Sequence, residues 1–230
     1  MSAHTEPTTH YWQRLLAPGE LGTEAPPPWR YGYPARLPDG RVLMLPIRAL
    51  VAGGNAVASL LLNQASFEVT DTLADLLAAR LAPLAPQVVV GLPTLGLTLA
   101  AAVARRLGHA RYVPLGSSRK FWYRDDLSVP VRSITSPETD KRLYLDPHLL
   151  PLVEGRRVVL VDDVISTGQT AQPPWRLLES LGAEVLAYGV AMLQGRRWEA
   201  VLGDRRGARV VGVFESPLLE ACEAGWQPCR

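Results

Sequence analysis

Four apolar, mostly β-branched residues, Val158-Val159-Leu160-Val161, run straight into two carboxylates, Asp162 and Asp163. A run without polar alternation has no solvated face, so it predicts a strand buried on both sides within a mostly parallel sheet covered by helices. The acids then fall at the carboxyl edge of that sheet, where open α/β sheets bind ligands. Val164-Ile165 and the small, hydroxylated run Ser166-Thr167-Gly168-Gln169-Thr170 follow. Such a turn, leading into a helix, gathers backbone N–H groups, hydroxyls and the positive end of the helix dipole: an anion site. Pro173 and Pro174 fit the first turn of that helix, where N–H groups have no intrahelical partner.

The rest of the chain repeats strand–helix alternation. Asp71 is expected to cap a helix to Leu84, with Leu73, Leu76, Leu77 and Leu81 at helical spacing. Strands are expected over 87–92, 111–115, 157–161, 184–193 and 208–214. Helices are expected over 97–107, ended by Gly108, and from the 166–170 loop to Leu181, ended by Gly182. The fold class is therefore α/β: an open, mostly parallel sheet of about five strands with helices on both faces. Ahead of it, segments 31–37 and 41–47 flank Pro38-Asp39-Gly40 and read as a hairpin standing apart from the core. The organisation expected is a flexible arm over 1–29, hairpin and hood elements over 30–68, a core over 69–215, and a tail over 216–230. Residues 116–156 show little periodicity and read as a mobile loop.

Composition narrows the classes. Lys and Arg total 24 against 22 Asp and Glu, a net charge of +2, with no basic stripe interleaved with aromatics, so no nucleic-acid partner is expected. Apolar stretches are too short for a bilayer, and no signal peptide is visible, so a soluble, cytoplasmic protein without membrane partners is expected. Cys222 and Cys229 lack CxxC or Cys/His company and read as free thiols rather than a zinc site.

As a pattern, VVLVDDVISTGQT closely resembles the signature of the type I phosphoribosyltransferases, which bind 5-phosphoribosyl-1-pyrophosphate (PRPP). The plainer alternative is a strand whose acids cap the following helix. The resemblance implies that Asp162 and Asp163 serve the ribose and the reaction, and that Val164 through Thr170 hold the 5-phosphate. It implies a pyrophosphate loop at Pro93-Thr94-Leu95-Gly96, and pyrophosphate contacts from Arg119 and Lys120, which read equally as a solvated pair. Lys141 and Arg142 have a weaker claim. Phe214 and Glu215 are candidates for the nucleobase, or simply the end of a core strand; Asn63 to Phe67 has a similar double reading.

The activity so implied is magnesium-dependent transfer of a phosphoribosyl group from PRPP to a nitrogen of a nucleobase-like acceptor, a purine slightly favoured, with pyrophosphate released. Mg²⁺ is expected on substrate oxygens, aided by Asp162 or Asp163, and a homodimer is the family's habit. The alternative is a non-catalytic regulator that senses PRPP or a nucleotide on the same fold. A dinucleotide-binding oxidoreductase is disfavoured because 91–96 lacks the G-x-G-x-x-G spacing.

Overall fold

The computed structural model describes residues 10–20, 26–51, 53–133 and 136–229. In chain order the strands and helices are β1 (Leu15–Leu16), β2 (Gly32–Arg36), β3 (Val42–Ala49), β4 (Asn55–Ala58), α1 (Phe67–Leu81), β5 (Val88–Gly91), α2 (Gly96–Arg106) and β6 (Val113–Pro114). They continue as β7 (Ser128–Ser133), β8 (Ser136–Tyr144), β9 (Arg157–Ile165), α3 (Gln172–Ser180), β10 (Glu184–Gln194), α4 (Arg197–Gly207), β11 (Val210–Ser216), β12 (Leu218–Cys222) and β13 (Gly225–Pro228).

The central sheet has the order β11-β10-β9-β5-β6, every neighbouring pair parallel. Its middle strand is the apolar run. Successive side chains on a strand face opposite ways, so each face of β9 takes its own core. Val159 and Val161 enter one with Val89 and with Leu73, Leu77, Leu99 and Val103 of α1 and α2. Val158 and Leu160 enter the other with Val90, Trp175, Leu178 and Trp198. That division explains why β9 carries no polar residue between the exposed Arg157 and Asp162.

Helix ends follow local chemistry. Past α2, Gly108 at φ +80° lets its own N–H reach the Arg105 carbonyl and the His109 N–H reach Ala104, closing the helix. Gly182 at φ +76° does the same after α3. At α1 the expectation fails. The cap is Ser66, whose hydroxyl accepts from the Val69 N–H at 3.2 Å, and the helix begins at Phe67. Asp71 lies inside the helix and pairs instead with Arg106 at 2.9 Å. Serine in extended backbone satisfies an orphan N–H as well as an aspartate does, and it stands earlier in the chain.

The hairpin does not stand apart. Strands β2 and β3 pair as expected, Arg36 opposite Val42, with Gly40 at φ +85° in the turn. They belong, however, to a six-stranded sheet ordered β1-β3-β4-β12-β13, with β2 joined to it through β3, and in it β12 lies antiparallel to β4 with Leu219 opposite Ala56. Ala35, Leu37, Leu43 and Leu45 are buried in the same core as α1. Of the 1–29 segment, residues 1–9 and 21–25 lie outside the described residues. Within the described part Trp12 is buried, and its indole N–H donates to the Ser59 carbonyl at 2.9 Å.

Segment 116–156, expected to be a loop, contains an antiparallel ribbon. Strands β7 and β8 pair with each other, Val131 opposite Lys141 and Val129 opposite Leu143. A bridge between Gly116 and Tyr144 ties the ribbon to the sheet's edge, and Leu127, Val131, Leu143 and Leu145 are buried in the second core. Among the ribbon residues whose burial is described, Val131, Leu143 and Tyr144 are buried while Pro130 and Lys141 are exposed, so no simple alternation results.

Candidate functional site

Strand β9 runs on through the acids to Ile165, because β10 continues beside it: Asp162 stands opposite Val190, and Val164 opposite Met192. The carboxylates are thus the end of a hydrogen-bonded strand rather than the start of a turn, which fixes their backbone. Asp162 is 7% exposed. One of its carboxylate oxygens accepts from the Asp163 N–H at 2.9 Å, and the other accepts from the Tyr188 hydroxyl, also at 2.9 Å. Tyr188 is itself buried and stacked on Trp175. Gly96 completes the packing. A Cβ there would lie 2.6 Å from Asp162 Oδ1 and 2.7 Å from its Cα, so only glycine lets α2 start this close.

Burial pushes the Asp162 carboxyl well above the usual carboxylate range, and the neighbouring Asp163 charge adds to it. Asp163 is raised too, again chiefly by burial. Among the described residues neither acid forms an ion pair. Two desolvated carboxylates side by side without a cation will take up a proton, a metal ion or hydroxyl donors.

Beyond Ile165 the chain turns through Gly168 at φ +79°, where a side chain would sit 3.2 Å from the backbone of Trp198. The Gly168 carbonyl accepts from the N–H groups of Ala171 and Gln172 as α3 begins, with Pro173 and Pro174 in its first turn. Among the described residues, the backbone N–H groups of Ser166, Thr167, Gly168 and Thr170 donate to no protein acceptor.

The acids and this turn border one cavity of about 540 Å³ at the carboxyl edge of β5 and β9. Its walls bring together Asp162, Asp163, Val164 through Gly168 and Thr170 with Pro93, Thr94 and Leu95 from the turn after β5. The Pro93–Thr94 peptide is cis. Gly96 packs behind Asp162, and Gln169 is outside the lining. Ser117 and the ribbon close the opposite side through Val131, Lys141, Arg142 and Leu143.

Other sequence-derived candidates are placed elsewhere. Arg119 pairs with Asp125 on the exposed side of the 117–127 segment, Lys120 is exposed, and neither lines the cavity. Phe214 is buried in the core, and Glu215 borders a separate shallow groove with Arg36 and Arg80. Asn63 and Gln64 lie in a 3-10 turn over Leu62–Gln64. Conversely, Tyr188, Ser117, Val131 and Leu143 carried no signal of their own in the sequence. Tyr188 sits in an apolar strand, and its meeting with Asp162 depends on the β9–β10 register. Arg142, given the weaker claim, is anchored: its Nε and Nη2 donate to the Ser128 hydroxyl at 3.1 and 2.7 Å.

Comparison with known proteins agrees with this geometry. The chain is 38% identical over 104 residues to an adenine phosphoribosyltransferase of Frankia alni, covering 45% of this chain and 51% of that protein. It is 31% identical over 145 residues to a bifunctional protein PyrR of Citrifermentans bemidjiense, covering 61% and 77%. The chain spans 51–66% of the length of several adenine phosphoribosyltransferases it matches. In fold it is similar to a crystal structure of adenine phosphoribosyltransferase from Rhodothermus marinus, with TM-score 0.54 and 24% identity over 65% of this chain and 80% of that one. The family model of the phosphoribosyl transferase domain matches residues 57–214, which include four of the five parallel strands, β11 as far as Phe214, the acids and the turn beyond them. With that match spanning well over half of its length, the chain belongs to the phosphoribosyl transferase domain family.

Proposed function

We propose that the protein transfers a 5-phosphoribosyl group from PRPP to a ring nitrogen of a purine-like base. The observation that carries this reading is the meeting, in one cavity, of two carboxylates without an ion-pair partner (Asp162 buried, Asp163 half-buried), a turn of undonated N–H groups and two basic side chains. In the reaction the C1–oxygen bond to pyrophosphate breaks, a nitrogen–C1 bond forms, and positive charge develops on the sugar ring between the two events.

The amides and hydroxyls of Ser166, Thr167, Gly168 and Thr170 suit the 5-phosphate, as a helix start suits any anion. Asp162 and Asp163 then fall beside the ribose, accepting from its hydroxyls and stabilising the ring charge as it develops. Lys141 and Arg142, with the 94–95 turn, face where the leaving group would lie. A part for Arg119 and Lys120 requires the Arg119–Asp125 pair to open. Val131 and Leu143 offer the apolar wall that a flat base needs, which Phe214 in the core does not.

Magnesium fits this donor set. Two carboxylates lack a cation, and the described residues hold no group of three metal-ligating side chains, which suits an ion that takes most of its oxygens from water and substrate. When bound at Asp162 or Asp163 it would neutralise charge on the departing pyrophosphate. In this reading the 69–215 core carries the chemistry, and 30–68 with 216–230 form the hood. A homodimer is expected, to be read by light scattering. No described helix is long and apolar enough to cross a membrane, in keeping with a cytoplasmic enzyme.

The test is pyrophosphate release from PRPP with Mg²⁺, with adenine first and then other purines and pyrimidines. Base-dependent release is expected. Calorimetric binding of PRPP with no release for any base would instead establish the regulator.

A further inference from the structure

The central sheet has two ends, and the one opposite the acids also encloses a cavity, of about 210 Å³. Val88 opens β5 there, Arg156 immediately precedes β9, and the end of α2 delivers His109 and Arg111. Delivery is set by Gly108, whose left-handed conformation turns the chain so that the His109 N–H closes the helix on Ala104.

We propose that this second cavity binds a small phosphate-bearing anion. Both guanidiniums that line it, Arg111 and Arg156, form no ion pair or side-chain hydrogen bond among the described residues, and no carboxylate lines it. Glu154, two residues from Arg156, makes no pair with it. Elsewhere in the molecule arginines do find acids: Arg106 takes Asp71 and Asp75, and Arg206 takes Glu179. The His109 ring also lines the cavity, and its Nε2 is buried without a hydrogen-bond partner. A buried polar nitrogen without a partner is destabilising, so a bound group close to the imidazole should alter its signals. The Gln87 side-chain oxygen is committed to the Arg157 N–H at 3.0 Å, so its amide N–H₂ is turned to other acceptors. The two guanidinium forks carry donors and no acceptor, and an oxyanion satisfies both together. Val88 and Leu152 supply an apolar margin beside the arginines.

The proposal does not rest on the transferase reading, and its test keeps the two apart. Inorganic phosphate is titrated into the ¹⁵N-labelled full chain while the His109 imidazole signals are followed. Saturable movement of those signals is expected in the wild type. The same movement is expected in Thr167→Ala/Thr170→Ala, which weakens only the turn at the carboxyl edge. Arg111→Gln/Arg156→Gln is expected to weaken binding at His109 at least tenfold. Both arginines are exposed, so the variant keeps its core. Repeating the titration with AMP separates the sources: tighter binding than phosphate assigns the site to a phosphate monoester, and equal binding assigns it to the free ion. His109 signals that stay still, or that move with unchanged affinity in the arginine variant, overturn the proposal.

Discussion

The two walls of the main cavity are built on opposite principles. The sheet wall holds its acids at the end of a central strand, desolvated, fixed by the Tyr188 hydroxyl and the Asp163 N–H, with Gly96 pressed against them. The ribbon wall carries Lys141 and Arg142 on β8, which pairs with β7 and, through Tyr144, bridges to Gly116. A two-stranded ribbon is marginal alone, and this one depends on Leu127, Val131, Leu143 and Leu145 entering the second core. Negative charge is therefore preorganised at the expense of desolvation, while positive charge stays partly solvated and close to the outside. The contrast implies that acid substitutions alter the chemical step and ribbon substitutions chiefly alter binding.

The contrast is tested most severely at Asp163→Asn, expected to lower kcat/KM on the order of 100-fold while the far-UV circular dichroism stays native. An unimpaired kcat/KM would remove Asp163 from the reaction. Next, Lys141→Ala is expected to cost about tenfold, or ~1.4 kcal/mol, in kcat/KM. Most of that loss should appear in the KM for PRPP. A loss confined to kcat would make the ribbon as preorganised as the sheet. Thr167→Ala, which removes one hydroxyl from the turn, should raise the KM for PRPP about fivefold with kcat nearly unchanged; a change in base preference instead would mean that the turn does not hold the phosphate.

The smallest effect concerns stability. The folded pKa of Asp162 lies above its ordinary value of 3.8 because of burial. Between those two values the folded chain binds more protons than the unfolded one, so stability falls as pH rises through that window. Asp162→Asn should therefore raise the Tm of the ligand-free, metal-free protein at pH 8, by about 2–4 °C for each kcal/mol recovered. The gain should shrink towards pH 4. A difference in Tm that is constant with pH would show that the acid is not desolvated in solution.

The segment 158–170 was legible because its chemistry is local. Apolar run, acids and small-residue turn follow one another in the chain, so the strand, the edge and the anion turn could all be read in order. The ribbon wall was not legible. Val131, Leu143 and Tyr144 are buried while Pro130 and Lys141 are exposed, and the cross-strand pairing over 128–144 leaves only a weak period. The family resemblance points to Arg119 and Lys120 through their place after the second core strand, yet Asp125, six residues on, takes Arg119. Phe214 was ambiguous for the reason any aromatic at a strand end is: the residue serves a core and a ligand equally well until its neighbours are known.

The order of residues along β9 determined a buried parallel strand, two acids at its carboxyl edge and a turn suited to a phosphoryl group, because each depends on near neighbours in the chain. Only the tertiary structure decided which distant residues complete the cavity. The β9–β10 register brings Tyr188 to Asp162, and the ribbon brings Lys141 and Arg142 across from the acids. The partnership of β4 with β12 likewise joins the chain's two flanks into one sheet. Contacts between residues far apart in sequence are set by packing and strand pairing, and neither leaves a local trace.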